Sequence, residues 1–292
     1  MLALRILSIV FPVFAIIGIG YLYGKIKRPD IGVTNQISMD VLVPALVFAA
    51  LASKDFDFAH YWQLALGGAG VILGSGLLAW PVARLLKVDA KTFVPPMMFN
   101  NSGNMGIPLI VLAFGDAALG AAIILFLVEM VLHFSRGPYL LAHRMNLLQL
   151  LKTPVMAATV LGVAVSLSNT LLPDALYTAI KMLGDASIPM LLFALGVRLN
   201  QVSFKDWHIG AWSGVVAPLS GIVMVLMLMP FLDLDPAQRS VLLVFGALPP
   251  AVLNYLMAEQ YRQEPGEVAS IVLLGNLAAL IVMPLVLVFA LG

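Results

Sequence analysis

The stretch Phe93-Val-Pro-Pro-Met-Met-Phe-Asn-Asn-Ser-Gly-Asn-Met-Gly-Ile-Pro-Leu109 decides how this chain is read. It sits among long apolar runs, yet no continuous helix facing an apolar solvent would use it. Pro96 and Pro108 each lack an amide hydrogen and crowd the preceding turn, while Gly103 and Gly106 weaken helix propagation. The spacing predicts a broken helix. Backbone groups freed inside a membrane persist only where protein, water or a ligand satisfies them, and Asn100, Asn101, Ser102 and Asn104 add donors and acceptors at that point. A kink alone needs no such cluster, because each uncompensated amide in hydrocarbon costs a few kcal/mol. The break is therefore expected to be a polar pocket.

The surroundings make that apolar solvent a bilayer. Of 292 residues, 61% are hydrophobic and 11% charged, and the mean hydropathy is +1.01; an ordinary soluble domain is about one-quarter charged. The apolar runs are about 20 residues long, the length a helix needs to cross a hydrocarbon core of about 30 Å. A net charge of +1 without a long basic block argues against nucleic acid as a partner. The chain has no cysteine, which excludes disulfides, thiol nucleophiles and thiolate metal sites. Leu2 to Gly24 is too long for a signal-peptide core and reads as the first span.

Breaks at clusters of charge, Pro and Gly place ten spans, near 2–24, 33–53, 61–86, 92–114, 116–136, 154–172, 175–198, 207–231, 237–260 and 266–291. Twelve of the sixteen Lys and Arg residues then fall at the odd-numbered connections, against Arg5, Lys54, Lys181 and Arg239 on the other side. The positive-inside rule puts the odd connections in the cytoplasm and both termini outside, in a multi-pass protein of the cytoplasmic (inner) membrane.

Two internal echoes point to a repeat. Asp40-Val-Leu-Val-Pro44 followed by Phe48 returns as Asp185-Ala-Ser-Ile-Pro189 followed by Phe193, 145 residues on at each anchor. Pro95-Pro96-Met-Met-Phe-Asn100 in span four returns as Pro249-Pro250-Ala-Val-Leu-Asn254 in span nine, 154 residues on. Five spans per half is odd, so the second half enters from the opposite side. The expected fold is thus all-α and polytopic, with a first half 1–136, a cytoplasmic connecting loop 137–153 and an inverted second half 154–292. Discontinuous helices in matching positions of two halves point to a midplane site. The candidate binding residues are Asn100, Asn101, Ser102, Asn104, Pro249, Pro250, Asn254 and Tyr255.

Four ionisable groups within spans are candidate coupling groups. Glu129 and His133 lie one turn apart in span five and share a face, as a proton relay or cation ligand would; an interfacial pair is the alternative, since Arg136 marks the expected end of that span. Asp40 and Asp185 are symmetric, and Lys181, one turn before Asp185, suits a structural salt bridge. No His-x-x-x-His spacing and no catalytic constellation occurs, so neither enzyme, metal site nor cofactor is expected. The small residues from Gly67 to Gly76 suit close packing of span three.

Asn101-Ser-Gly-Asn-Met-Gly-Ile-Pro-Leu109, Ala113-Phe-Gly-Asp116, and Ala247-Leu-Pro-Pro250 through Ala258-Glu-Gln-Tyr261 to Pro265 together resemble the auxin efflux carrier family, which includes the plant PIN proteins. The segment from Asp185 to Gly196 is also similar. The chain looks like a bacterial member, more distantly related to bile acid:sodium symporter-like carriers. The resemblance implies ten helices in an inverted five-plus-five repeat. Spans one, two, six and seven would form a scaffold and spans three to five and eight to ten a transport unit, with helices four and nine crossing. It further implies export or exchange of a small organic anion, and a homodimer. By position, Asn101 matches the crossover asparagine that meets the substrate carboxylate and Pro249 the proline that opens helix nine, whereas Asn254 stands where plant carriers tend to have another proline. The long cytoplasmic loop of plant members is missing.

The reading is a secondary carrier for a small organic anion, a carboxylate, working by alternating access at the crossing of spans four and nine. H+ or Na+ is the candidate coupling ion. The alternatives are an ion-coupled symporter of the bile-acid-carrier type, which would want a carboxylate in the ninth-span break, and a channel or signalling membrane protein.

Overall fold

The computed structural model describes residues 2–53, 56–142, 150–168, 170, 172–201 and 206–292. Lys54, Arg144, Lys205 and the 143–149 part of the expected connecting loop lie outside the described residues. Within them the chain is helical throughout: α1 (Leu2–Lys27), α2 (Ile31–Leu51), α3 (Phe58–Leu86), α4 (Ala90–Met98), α5 (Ser102–Phe114), α6 (Leu119–Ala142), α7 (Pro154–Ser168), α8 (Asp174–Arg198), α9 (Trp207–Leu228), α10 (Pro236–Gly246), α11 (Val252–Tyr261) and α12 (Pro265–Leu291). Among the described residues there is no strand, and the one isolated β-bridge is antiparallel and joins Asn100 to Pro250.

Seven of these helices, α1, α2, α3, α6, α8, α9 and α12, are long and apolar enough to cross a membrane. The other three expected spans take a different form. Residues 92–114 and 237–260 each divide into two short helices, α4 with α5 and α10 with α11. The α7 helix has 15 residues, roughly 22 Å at the helical rise, less than the hydrocarbon core. In the other direction α6 runs on through Ala142, beyond Arg136, so Glu129 stands well inside a helix rather than near its end.

Local chemistry sets several boundaries. Asp30, Asp57, Asp89 and Asp235 cap α2, α3, α4 and α10, accepting from the backbone N–H of Gly32 (2.8 Å), Ala59 (2.9 Å), Lys91 (2.8 Å) and Gln238 (2.9 Å). Each satisfies an N–H that the first helical turn leaves without a partner. Gly115 turns the chain between α5 and α6 at φ 84°, ψ 176°, a conformation open in practice to glycine alone.

Packing relies on small residues, as it must where lipid is as apolar as the helix faces. A Cβ on Gly20 of α1 would lie 2.2 Å from the Phe193 carbonyl oxygen, and one on Gly196 of α8 2.0 Å from that of Ile17. The two helices therefore touch backbone to backbone. The predicted packing face of α3 forms too: Gly70 meets Leu228 and Gly74 meets Met224, both of α9. Large apolar side chains such as Phe11, Leu77, Ile281 and Phe289 point outward and stay exposed; on these helices they form the surface that lipid covers.

Candidate functional site

The two interrupted segments meet at their breaks. The chain leaves α4 at Phe99 (φ −98°, ψ 104°) and turns through Asn101 (φ −85°, ψ 51°) into α5, whose first turn, Ser102–Gly106, is a π-turn. Pro96 lies inside α4 and Pro108 in the first α-helical turn of α5, so the break falls between them, at the asparagines. In the partner segment Pro249 and Pro250 sit in the break itself, between α10 and α11. The Asn101 N–H donates to the Pro249 carbonyl at 2.7 Å, and the Ala251 N–H donates to the Phe99 carbonyl at 3.0 Å. The two extended pieces thus satisfy each other, which answers the backbone problem that their prolines create.

Side-chain amides fasten the crossing reciprocally. Asn100 donates to the Phe245 carbonyl (2.7 Å) at the end of α10, and Asn254 of α11 donates to the Phe99 carbonyl (2.9 Å) at the end of α4. Asn101 donates to Oδ1 of Asn276 (3.0 Å), while the Asn276 amide donates to the carbonyls of Pro250 (3.0 Å) and Val272 (2.8 Å). Asn276 lies in the middle of α12 and is 3% exposed. Sequence reasoning missed it: it is a lone amide in an apolar helix, with no proline or repeat to single it out.

Beside the crossing lies a cavity of about 440 Å³. Asn100, Asn101, Ser102, Gly103 and Asn104 line it from the fourth-span break, and Ala251, Val252 and Leu253 from the start of α11. Glu129 and His133 of α6 line it as well, as do Asp40 of α2 and Arg198 of α8. Glu129, 3% exposed, accepts a hydrogen bond from the Ser102 hydroxyl. His133, 2% exposed, stacks on Phe99 with ring centroids 4.1 Å apart and planes 9° from parallel; its Nε2 has no hydrogen-bond partner among the described residues.

Other predicted residues stand apart from that cavity. Pro249 and Pro250 shape the crossing through their carbonyls. Asn254 borders, with His133 and Pro96, a separate space of about 10 Å³. The Tyr255 hydroxyl donates to Glu259 at 2.7 Å, outside the cavity lining. Gly106 packs against Leu248. Asp185 accepts from Lys181 Nζ at 2.8 Å and 3.0 Å on an exposed helix face, the i,i+4 salt bridge that the spacing suggested. Among the described residues no group of His, Asp and Glu could hold a metal ion.

A cavity bounded by helix starts, amides and a few ionisable groups, inside a bundle of lipid-facing helices, can take up a polar solute but offers no paired catalytic groups. Comparison with known proteins agrees. The family model described as "Membrane transport protein" matches residues 5–141 and 138–287. A protein of Rhizobium meliloti named "Putative malonate transporter" is 24% identical over 280 residues, covering 88% of this chain and 87% of its own. Uncharacterized transporters of Methanocaldococcus jannaschii (20% identical, covering 96% of this chain and 97% of their own) and Methanothermobacter thermautotrophicus (25% identical, 94% and 95%) align nearly end to end. The chain is an integral, multi-pass membrane protein, a transporter rather than an enzyme, and it belongs to the membrane transport protein family, the auxin efflux carrier group whose motifs it carries.

Proposed function

We propose that this protein is a secondary carrier that moves a small organic anion, a carboxylate, across the cytoplasmic membrane by alternating access at the crossing of its two broken segments. One observation carries the reading: α5 and α11 both begin at the wall of the same cavity, and neither Asn101 nor Ala251 caps its helix with its own side chain, although Glu129 already engages Ser102 at the start of α5. Helix starts present free N–H groups and a partial positive charge, so two of them can replace the hydration of a carboxylate without a bound metal. Asn101, already placed by Asn276 and Pro249, presents its polar side chain to the same space.

In this reading α4 with α5, and α10 with α11, are each one discontinuous span, and α7 is a short one, giving ten spans in two halves of opposite topology. The reciprocal Asn100 and Asn254 hydrogen bonds support that symmetry. Helices α1, α2, α7 and α8 pack on one another and serve as the scaffold. With both termini outside, the cavity opens toward the cytoplasm, because Asn35, Thr153 and Arg198 on its wall all flank odd-numbered connections. Glu129, in contact with Ser102 at the binding turn, is the group we assign to proton coupling.

The test is uptake by the purified protein in liposomes, with labelled malonate, acetate and indole-3-acetate, under imposed pH and sodium gradients. Saturable uptake of a carboxylate that falls at least about tenfold in Asn101→Ala is expected for a residue that meets the substrate. Unchanged uptake in that variant refutes the site, and non-saturating flux makes the protein a channel.

A further inference from the structure

Among the described residues, one strongly basic residue lines the cavity. Arg198, the last residue of α8, is half-buried there, and no other described Lys or Arg lines the same cavity. The ion pairs among the described residues are His60–Asp235 and Lys181–Asp185, so Arg198 makes none with them. Its place at a helix C-terminus accounts for a cation at that end, but not for its position on the cavity wall without an ion pair to any described carboxylate. A cation at the mouth of a solute cavity is placed to attract an anion that enters from that side.

We propose that Arg198 is a substrate-binding residue that receives the second carboxylate of a dicarboxylate whose first carboxylate sits at the crossing. The inference rests on the carrier reading above and adds a substrate class to it. The crossing offers the start of α11 and the Asn101 amide, neutral donors suited to one carboxylate, while Glu129 engages Ser102 at the start of α5. Arg198 belongs to α8, which packs with α1 and α2 rather than with the crossing segments alone, so the two donor sets come from different parts of the bundle. A planar guanidinium binds a carboxylate through two parallel N–H donors, which makes the second contact geometrically selective. A volume of about 440 Å³ holds a short-chain diacid with its remaining water. Two carboxyl groups also reach this wall and bear on selectivity. Glu129 is engaged by Ser102, and Asp40 makes no ion pair with the described residues.

The experiment measures binding to the full-length protein in lipid nanodiscs by calorimetry, with malonate and its monomethyl ester as probes. The two share a skeleton and differ by one carboxylate. Wild-type protein is expected to bind malonate about tenfold or more tightly than the ester, a typical gain for a charge-assisted pair. Arg198→Gln should bring malonate down to the level of the ester and leave the ester unchanged, and Arg198→Lys should recover part of the difference. Equal weakening of both probes, no change in either, or a wild type that fails to prefer malonate overturns the assignment. Asn101→Ala separates the two proposals: it should lose both probes. If it binds both as wild type does while Arg198→Gln keeps its selective loss, the crossing is wrong and Arg198 stands. If wild type binds neither probe yet takes up another anion in an Asn101-dependent way, the carrier reading stands and the diacid assignment falls. Melting curves of each variant identify misfolding, and the Lys variant keeps the charge where Gln proves unstable.

Discussion

Asn101 donates its side-chain amide to Asn276 at 3.0 Å, and Asn276 passes its own amide on to the Pro250 carbonyl at 3.0 Å. One residue of α12 thereby holds both sides of the crossing. Asn276→Ala leaves a buried amide and a buried carbonyl unsatisfied, a cost of roughly 1–3 kcal/mol. We expect it to lower thermal stability and to reduce maximal uptake in liposomes by at least about tenfold. Normal uptake at a normal melting temperature would mean that the crossing does not need this tie.

Glu129 and Ser102 touch within the binding turn. Glu129→Gln keeps a group that can accept from the Ser102 hydroxyl but cannot exchange a proton. Transport driven by a pH gradient should be lost in this variant, while exchange of labelled for unlabelled substrate at equal pH continues. If Glu129→Gln still responds to the gradient as wild type does, the proton moves elsewhere.

His133 lies flat on Phe99, which delivers its carbonyl to Ala251 and Asn254. With Nε2 lacking a partner among the described residues, the ring acts here through packing. His133→Phe should keep the stack and retain uptake within about twofold, whereas His133→Ala opens a cavity in the core worth about 2–4 kcal/mol and lowers both stability and uptake. Loss of uptake in a stably folded Phe variant would instead assign the imidazole a chemical role.

Gly18 and Gly20 are two residues apart on α1, yet only Gly20 faces α8. A Cβ on Gly18 meets nothing within 4 Å, while one on Gly20 would stand 2.2 Å from the Phe193 carbonyl oxygen. Gly18→Ala should therefore be neutral in melting temperature, and Gly20→Ala should destabilise by about 1–3 kcal/mol through overpacking against backbone that cannot yield. Equal effects at both positions would contradict this helix contact.

The unequal reach of sequence reasoning follows from the range of the forces involved. The break in span four was legible because its causes are local: Pro96, Pro108, Gly103 and Gly106 act on their own turns, and the polar cluster lies within five residues. The Lys181–Asp185 pair was legible for the same reason, one helical turn apart. The full depth of Glu129 was not, because Arg136 suggested a helix end where α6 continues to Ala142; packing, not charge, decides how far an apolar helix runs. Tyr255 was drawn into the site by neighbourhood alone, whereas its hydroxyl bonds Glu259 on its own helix.

The sequence by itself determined that this is a multi-pass helical protein of the bilayer, and where two of its segments must be interrupted, since hydropathy and helix-breaking residues act over one turn or one membrane thickness. Only the tertiary structure decided what the interruptions meet. The pairing of Asn101 with Pro249, the tie through Asn276, the contact of Ser102 with Glu129 and the place of Arg198 on the same cavity wall as Asn101 all join residues dozens to more than a hundred positions apart. No local pattern encodes such contacts; they form because a broken backbone in an apolar medium must find its hydrogen bonds in whatever helix packs beside it.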